Sequence, residues 1–161
     1  MTAPEVWHPP IRAHERLAAK LVGLQNRGRL GKLLHRLMVA RGTDIWPDAE
    51  IGPELMLPHA GIGVVIHGRT RIGRGVIIFS NVTVGRADPW VPYSDDFGGF
   101  VIGDHAMLCA GAAILNRGDE PLTIGEGAVV GANAVLSQSV PAWEIWAGSP
   151  ARKVGERPAP A

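Results

Sequence analysis

With 161 residues the chain can build one domain with a real core; its formal charge of +1 argues neither for nor against a nucleic-acid partner, and the expectation is no nucleic acid. Its 21 Gly and 13 Pro require many tight turns. The single cysteine, Cys109, excludes an internal disulfide and suits a reducing compartment; in LCAGAA it takes the small position after an aliphatic residue, where a packed thiol is expected ahead of a nucleophile. MTAPEVWHPPIR has no basic patch followed by an apolar run, and no stretch is long and apolar enough to span a bilayer, so the expectation is a soluble, cytoplasmic protein with no membrane span.

Residues 1–10 read as an irregular arm. From Ile11 to Ala40 the period is helical: Leu17, Leu21 and Leu24 share one face, and Leu30, Leu33, Leu34 and Leu37 share another. Asn26-Arg27-Gly28 separates two predicted helices, completing an N-terminal segment over 1–43. Arg12, Arg16, Lys20, Arg27, Arg29, Lys32, Arg36 and Arg41 oppose a lone acid, Glu15. Such a run is either a solvated helical face or a contact for an anionic acceptor or a neighbouring subunit.

From Asp44 the period changes. Aliphatic residues return every six positions at Ile45, Ile51 and Leu57, resume at Ile66, Ile72, Ile78 and Val84 after a patch containing His59, and return at Ile102, Leu108, Ile114, Ile124, Val130 and Leu136. Six is neither a helical nor a strand period. It predicts a mainly β solenoid over 44–154, each hexad supplying one short strand and a turn, with the aliphatic residue pointing into a shared core. The hexads stop over 86–100, where RADPWVPYSDDFGGF leaves the solenoid; its Trp90, Tyr93, Asp88, Asp95 and Asp96 suit a lid or binding loop, the alternative being a mobile insertion. NRGDEP at 116–121 is a smaller interruption, AWEIWAGSPARKV reads as an irregular cover on the last coil, and 155–161 as a disordered tail.

Asp44 and His59 stand fifteen positions apart, and strands on successive coils lie about 4.8 Å apart, so an acid and an imidazole can meet on one edge. A carboxylate on Nδ1 would fix the ring and free Nε2 as a general base; taken alone, a histidine in a glycine-rich turn is more often a structural or exposed residue. His67, following Ile66 where Gly is usual, is expected to line the same groove.

The hexads resemble those of hexapeptide-repeat proteins, which implies a left-handed parallel β-helix. DIWPDAEIGPELMLPHAG resembles the serine acetyltransferase signature, which opens on Asp-Ile-His-Pro and reaches Leu-Asp-His at the same separation; RIGRGVIIFSNVTVG resembles that family's next coils, and IGEGAVVGANAVLSQSV with AGSPARKV its last coils and closing motif. The resemblance covers about residues 11–154. It implies that Asp44 and His59 are the catalytic pair, that acetyl-CoA lies between adjacent subunits of a homotrimer, and that Gly85, Ala110, Ala132, Arg152 and the neighbouring Lys153 contact it, with no metal. His59 would deprotonate an acceptor hydroxyl for direct attack on the thioester while Asp44 orients the ring.

The departures from the family lie on the acceptor side. Pro58 replaces the family's Asp before the histidine, Gly98 and Gly99 replace its Arg-His pair, HAGIGVVI carries an extra residue, and the helical domain is cut to about two helices. The expected acceptor is therefore a small-molecule hydroxyl other than that of free serine, a sugar or natural-product alcohol; the alternative is serine O-acetylation with contacts rebuilt by the 86–100 loop. A γ-type carbonic anhydrase needs three histidines on zinc, and His59, His67 and His105 lack its spacing. A trimeric scaffold without chemistry is the remaining alternative.

Overall fold

The computed structural model describes residues 12–24, 28–92 and 95–159, without the side chains at 13, 14, 16–18 and 28. The expected arm, the Asn26-Arg27 break, the leucine at 17 and the tyrosine at 93 lie outside what is described. Helices α1 (Ala13–Leu24) and α2 (Gly28–Ala40) come first. Only part of the leucine pattern faces inward. On α2 the packed side is Gly31, His35 and Met38, while Leu30, Leu33 and Leu37 are more than half exposed. Gly31 is buried on that side, and the leucines turn outward.

The remaining chain winds through three sheets. β1 (Asp44–Ile45), β3 (Val65–Ile66), β6 (Thr83–Arg86), β9 (Ala113–Asn116) and β12 (Val135–Leu136) form the first. β2 (Glu50–Ile51), β4 (Thr70–Ile72), β7 (Phe100–Ile102) and β10 (Leu122–Ile124) form the second. β5 (Ile77–Ile78), β8 (Met107–Leu108), β11 (Val129–Val130), β13 (Glu144–Gly148) and β14 (Ala151–Glu156) form the third. The chain visits first, second and third sheet in turn, and all pairs between coils are parallel. Register partners Ile66 and Val84 lie three hexads apart in sequence, one full coil.

The hexad residues fill the interior as the period predicts. Ile45, Ile66, Val84, Ile114 and Leu136 stack under the first sheet, Ile72, Ile102 and Ile124 under the second, and Ile78, Leu108 and Val130 under the third, all buried. Ile51 is half-buried and packs against this core. At the corner leaving the second sheet, glycines stack because the coils touch there: a Cβ on Gly103 would lie 2.7 Å from the Glu126 amide nitrogen.

Two expectations about the C-terminus are corrected. AWEIWAGSPARKV is regular: β13 pairs in parallel with β11 and in antiparallel with β14. The tail expected from 155 begins in strand, since β14 runs to Glu156. Arg157 then anchors it. Its N–H donates to Trp143 O at 2.7 Å, its guanidinium reaches the carbonyls of His105 and Gly127, and it lies over the Trp143 ring. Backbone pairing to a half-covered sheet edge supplies the order that residue composition did not reveal.

Candidate active site

His59 sits where the first coil turns back beneath α1. Pro58–Gly61 form a 3-10 turn in which His59 (φ 56, ψ 30) and Ala60 (φ 58, ψ 21) both take the left-handed conformation. Two successive non-glycine residues there are strained, at about 1–2 kcal/mol each. The surroundings hold the turn. Glu15 of α1, only 6% exposed, accepts the His59 N–H on Oε1 and the Arg12 N–H on Oε2, both at 2.8 Å. Thr43 donates its buried hydroxyl to the carbonyls of Gly61 at 3.0 Å and Ala60 at 3.2 Å. The outcome is an exposed imidazole on a backbone clamped from both sides. Sequence reasoning missed Glu15 and Thr43 as site residues; the signal was Glu15 standing as the lone acid in a basic segment.

Asp44 follows Thr43 directly, so the residue that clamps the His59 turn also starts the strand bearing the carboxylate. Asp44 pairs in register with Val65 and faces outward from the first sheet. Its Oδ1 lies 3.7 Å from Nε2 of His35 on α2. The expected dyad is therefore only partly visible: Asp44 and the His59 turn are joined through Thr43, and the imidazole nearest the carboxylate in the described contacts is His35.

Along the same outward face, two positions beyond Asp44, Trp46 stacks on His67 with ring centroids 5.9 Å apart and planes at 12°. His67 also meets Phe97 edge-on at 5.1 Å, and its Nδ1 accepts the Arg69 N–H at 3.0 Å, which leaves the ring proton on Nε2. Burial first, then Arg69 and Arg86, lower its pKa and keep the ring neutral. The 86–100 excursion is tied down at both ends. Arg86 pairs with Asp88 at 3.0 Å, Arg69 donates to Asp95 O and Phe97 O, and Asn116 donates to Gly99 O. Gly98 and Gly99 have no room for side chains: added Cβ atoms would run into the Glu120 and Arg69 backbones, and Gly99 has φ +76.

The residues expected to hold acetyl-CoA fall into two places and a third, separate one. Ala110 and Ala132 sit on stacked corners entering the first sheet, where the Asn133 N–H donates to Ala110 O at 2.9 Å. Gly85 lies across that sheet at its exit, beside open ground: a Cβ there would meet nothing closer than Thr83 Cγ2 at 4.0 Å. Arg152 is exposed on β14, with its guanidinium on its own strand's Ala151 carbonyl. Lys153 is engaged by Glu144 at 2.8 Å and Glu156 at 2.6 Å, which raise its pKa. The small residues and the exposed Arg152 fit a thioester arm and its phosphates; the paired Lys153 fits a strap across the hairpin better.

Other candidates separate cleanly. His59, His67 and His105 occupy three different corners of the solenoid. Cys109 is half-buried and burial raises its pKa, as expected of a packed thiol. A cleft of about 690 Å³ lies between α1 and the first coil beside Lys20, Leu55 and Met56, and neither Asp44 nor His59 lines it.

No family model matches the chain. A putative serine acetyltransferase of Schizosaccharomyces pombe is 41% identical over 121 residues, covering 74% of this chain and 41% of that protein. The chain belongs to the serine acetyltransferase-like family. Among solved structures, serine acetyltransferase from Vibrio cholerae superposes with a TM-score of 0.76 at 31% identity, covering 91% of this chain and 56% of that one. A Brucella abortus serine acetyltransferase solved in complex with coenzyme A gives 0.68 at 29% identity, over 91% of this chain and 55% of that one. A soybean serine acetyltransferase complexed with serine gives 0.71 at 32% identity, over 89% and 58%. These neighbours establish the left-handed β-helix that the hexads led us to expect. The chain spans about half the length of the relatives it matches.

Proposed function

We propose that the chain is an acetyl-CoA-dependent O-acetyltransferase whose best-supported acceptor is the hydroxyl of serine. What carries the reading is the His59 turn: an exposed imidazole on a strained backbone, clamped by Glu15 and Thr43 beside Asp44, in a serine acetyltransferase-like chain. Strain of this kind persists where a side chain must be aimed.

His59 Nε2 accepts the proton of the acceptor hydroxyl as its oxygen attacks the thioester carbonyl. Asp44 stabilises the imidazolium, and a backbone N–H near Gly85 steadies the oxyanion. The C–S bond then breaks, and the imidazolium returns its proton to the departing thiolate. Gly85, Ala110, Ala132 and Arg152 would contact acetyl-CoA, in a groove completed by the next subunit of a trimer. The half-exposed leucines of α2 and the exposed Val65 beside Asp44 support packing against another copy.

A second reading, transfer to a sugar or another alcohol, is favoured by one observation. Gly98 and Gly99 are sterically closed to side chains, so the family's Arg-His pair has no equivalent there, and Pro58 offers no carboxylate. Serine would then need His67 Nε2–H and the arginines beside it for its carboxylate. Release of free CoA from acetyl-CoA, with L-serine set against sugars and amino alcohols, decides between them. Turnover with L-serine alone supports the first reading, turnover with only another alcohol supports the second, and silence with every acceptor refutes both.

A further inference from the structure

We propose that His35 is a positioning residue for Asp44: the helical segment, through α2, supplies a third member of the catalytic group and fixes the carboxylate that orients His59. The inference rests on the acetyltransferase reading for its catalytic consequence, though not for the contact itself.

The two side chains meet at the junction of α2 and the solenoid. Met38 O accepts the N–H groups of Arg41 and Thr43 at 2.9 and 3.0 Å, so the link from helix to strand is short and tight. Gly31, His35 and Met38 recur at helical spacing on the packed side of α2, which brings His35 over the first residue of β1. Its side chain is 23% exposed and that of Asp44 is 37%.

Burial is uneven across Asp44. Oδ1 is buried without a hydrogen-bond partner, and so is Nδ1 of His35. The exposure of Asp44 therefore belongs to its other oxygen and its methylene, and the two carboxylate oxygens face different surroundings. A buried carboxylate oxygen left without a donor is costly, and His35 Nε2 stands 3.7 Å away, just beyond hydrogen-bond reach. A small rotation of either side chain closes that gap. His35 then donates to Oδ1, the carboxylate plane is fixed, and Oδ2 remains for the imidazole of His59. Without His35 the carboxylate is free to turn about its last torsion, and the ring it orients loses alignment.

The test uses the full chain and steady-state CoA release. His35→Ala should lower kcat roughly tenfold with KM for acetyl-CoA within about twofold, the loss expected when one hydrogen bond to a charged group is removed from the transition state. His35→Gln, whose amide can donate from a similar reach, should recover most of that loss. Unchanged kcat in His35→Ala, or a defect confined to KM, overturns the proposal. A second arm needs no turnover: ring ¹⁵N spectra of the wild type and Asp44→Asn should show the His35 Nε2 signal displaced, while His105 stays in place. An unmoved His35 signal also overturns the proposal. If the wild type releases no CoA with any acceptor, the acetyltransferase reading fails and the ¹⁵N comparison alone decides the contact.

Discussion

Glu15→Ala probes the clamp on His59 directly. The substitution removes one carboxylate that accepts two main-chain N–H groups at 2.8 Å, from His59 and Arg12. Both bonds are part-buried, but only the one to His59 closes the turn. The His59 N–H is part-buried, and a hydrogen bond to a charged acceptor there contributes about 1.5–3 kcal/mol. Against this stands the strain of His59 and Ala60, about 2–4 kcal/mol together. Thr43, with one hydroxyl proton shared between two carbonyls, supplies about 1 kcal/mol. Clamp and strain are thus of equal size, and loss of Glu15 should open the turn locally while the hexad core stays folded. The expected readout is amide hydrogen exchange: protection at His59 should fall by about 30-fold, the equivalent of ~2 kcal/mol, with Ile66, Val84 and Ile114 unchanged. Turnover should fall in parallel. Unchanged protection at His59, or equal loss along the whole solenoid, would refute the argument that this carboxylate holds a locally strained loop.

Three further outcomes follow from the same geometry. His59→Ala should abolish CoA release yet leave CoA affinity and the unfolding transition intact, and turnover near the wild-type level would sink the general-base assignment. Gly99→Ala should destabilise the chain by about 1–3 kcal/mol in urea titration, since the new Cβ meets the Arg69 backbone at φ +76; an unchanged midpoint would mean that the loop end yields freely. For His67, burial and two arginines depress the folded pKa below its ordinary 6.5, so the unfolded chain takes up the proton first. Its contribution to stability is then full above that value and is lost as pH falls through the folded pKa. His67→Gln should flatten the fall in stability as pH drops below about 6.5, and an unaltered slope would assign it to other groups.

The hexad period determined the solenoid by itself. A residue that returns every sixth position to a shared interior leaves a mark in one dimension, and Ile45, Ile66, Val84, Ile114 and Leu136 are buried in one column as that mark requires. The 86–100 excursion was equally plain, because a break in a strict period has no other meaning. Motif resemblance supplied Asp44 and His59 as candidates, while the strained, clamped turn around His59 left no motif in the sequence. The order after Val140 was hidden: β13 and β14 are held by pairing with each other and with β11, and pairing partners far apart in sequence leave no local signature. The outward leucines of α2 were hidden for a related reason, since period defines a face without saying which face packs.

What only the tertiary structure decided is how the helical segment meets the chemistry. Glu15 reaches His59 across 44 positions, and His35 lies against Asp44 where helix turns into strand. Neither contact belongs to a repeat or a motif. The Glu15 contact exists because a buried carboxylate must find donors, and only the folded chain specifies which donors are within reach.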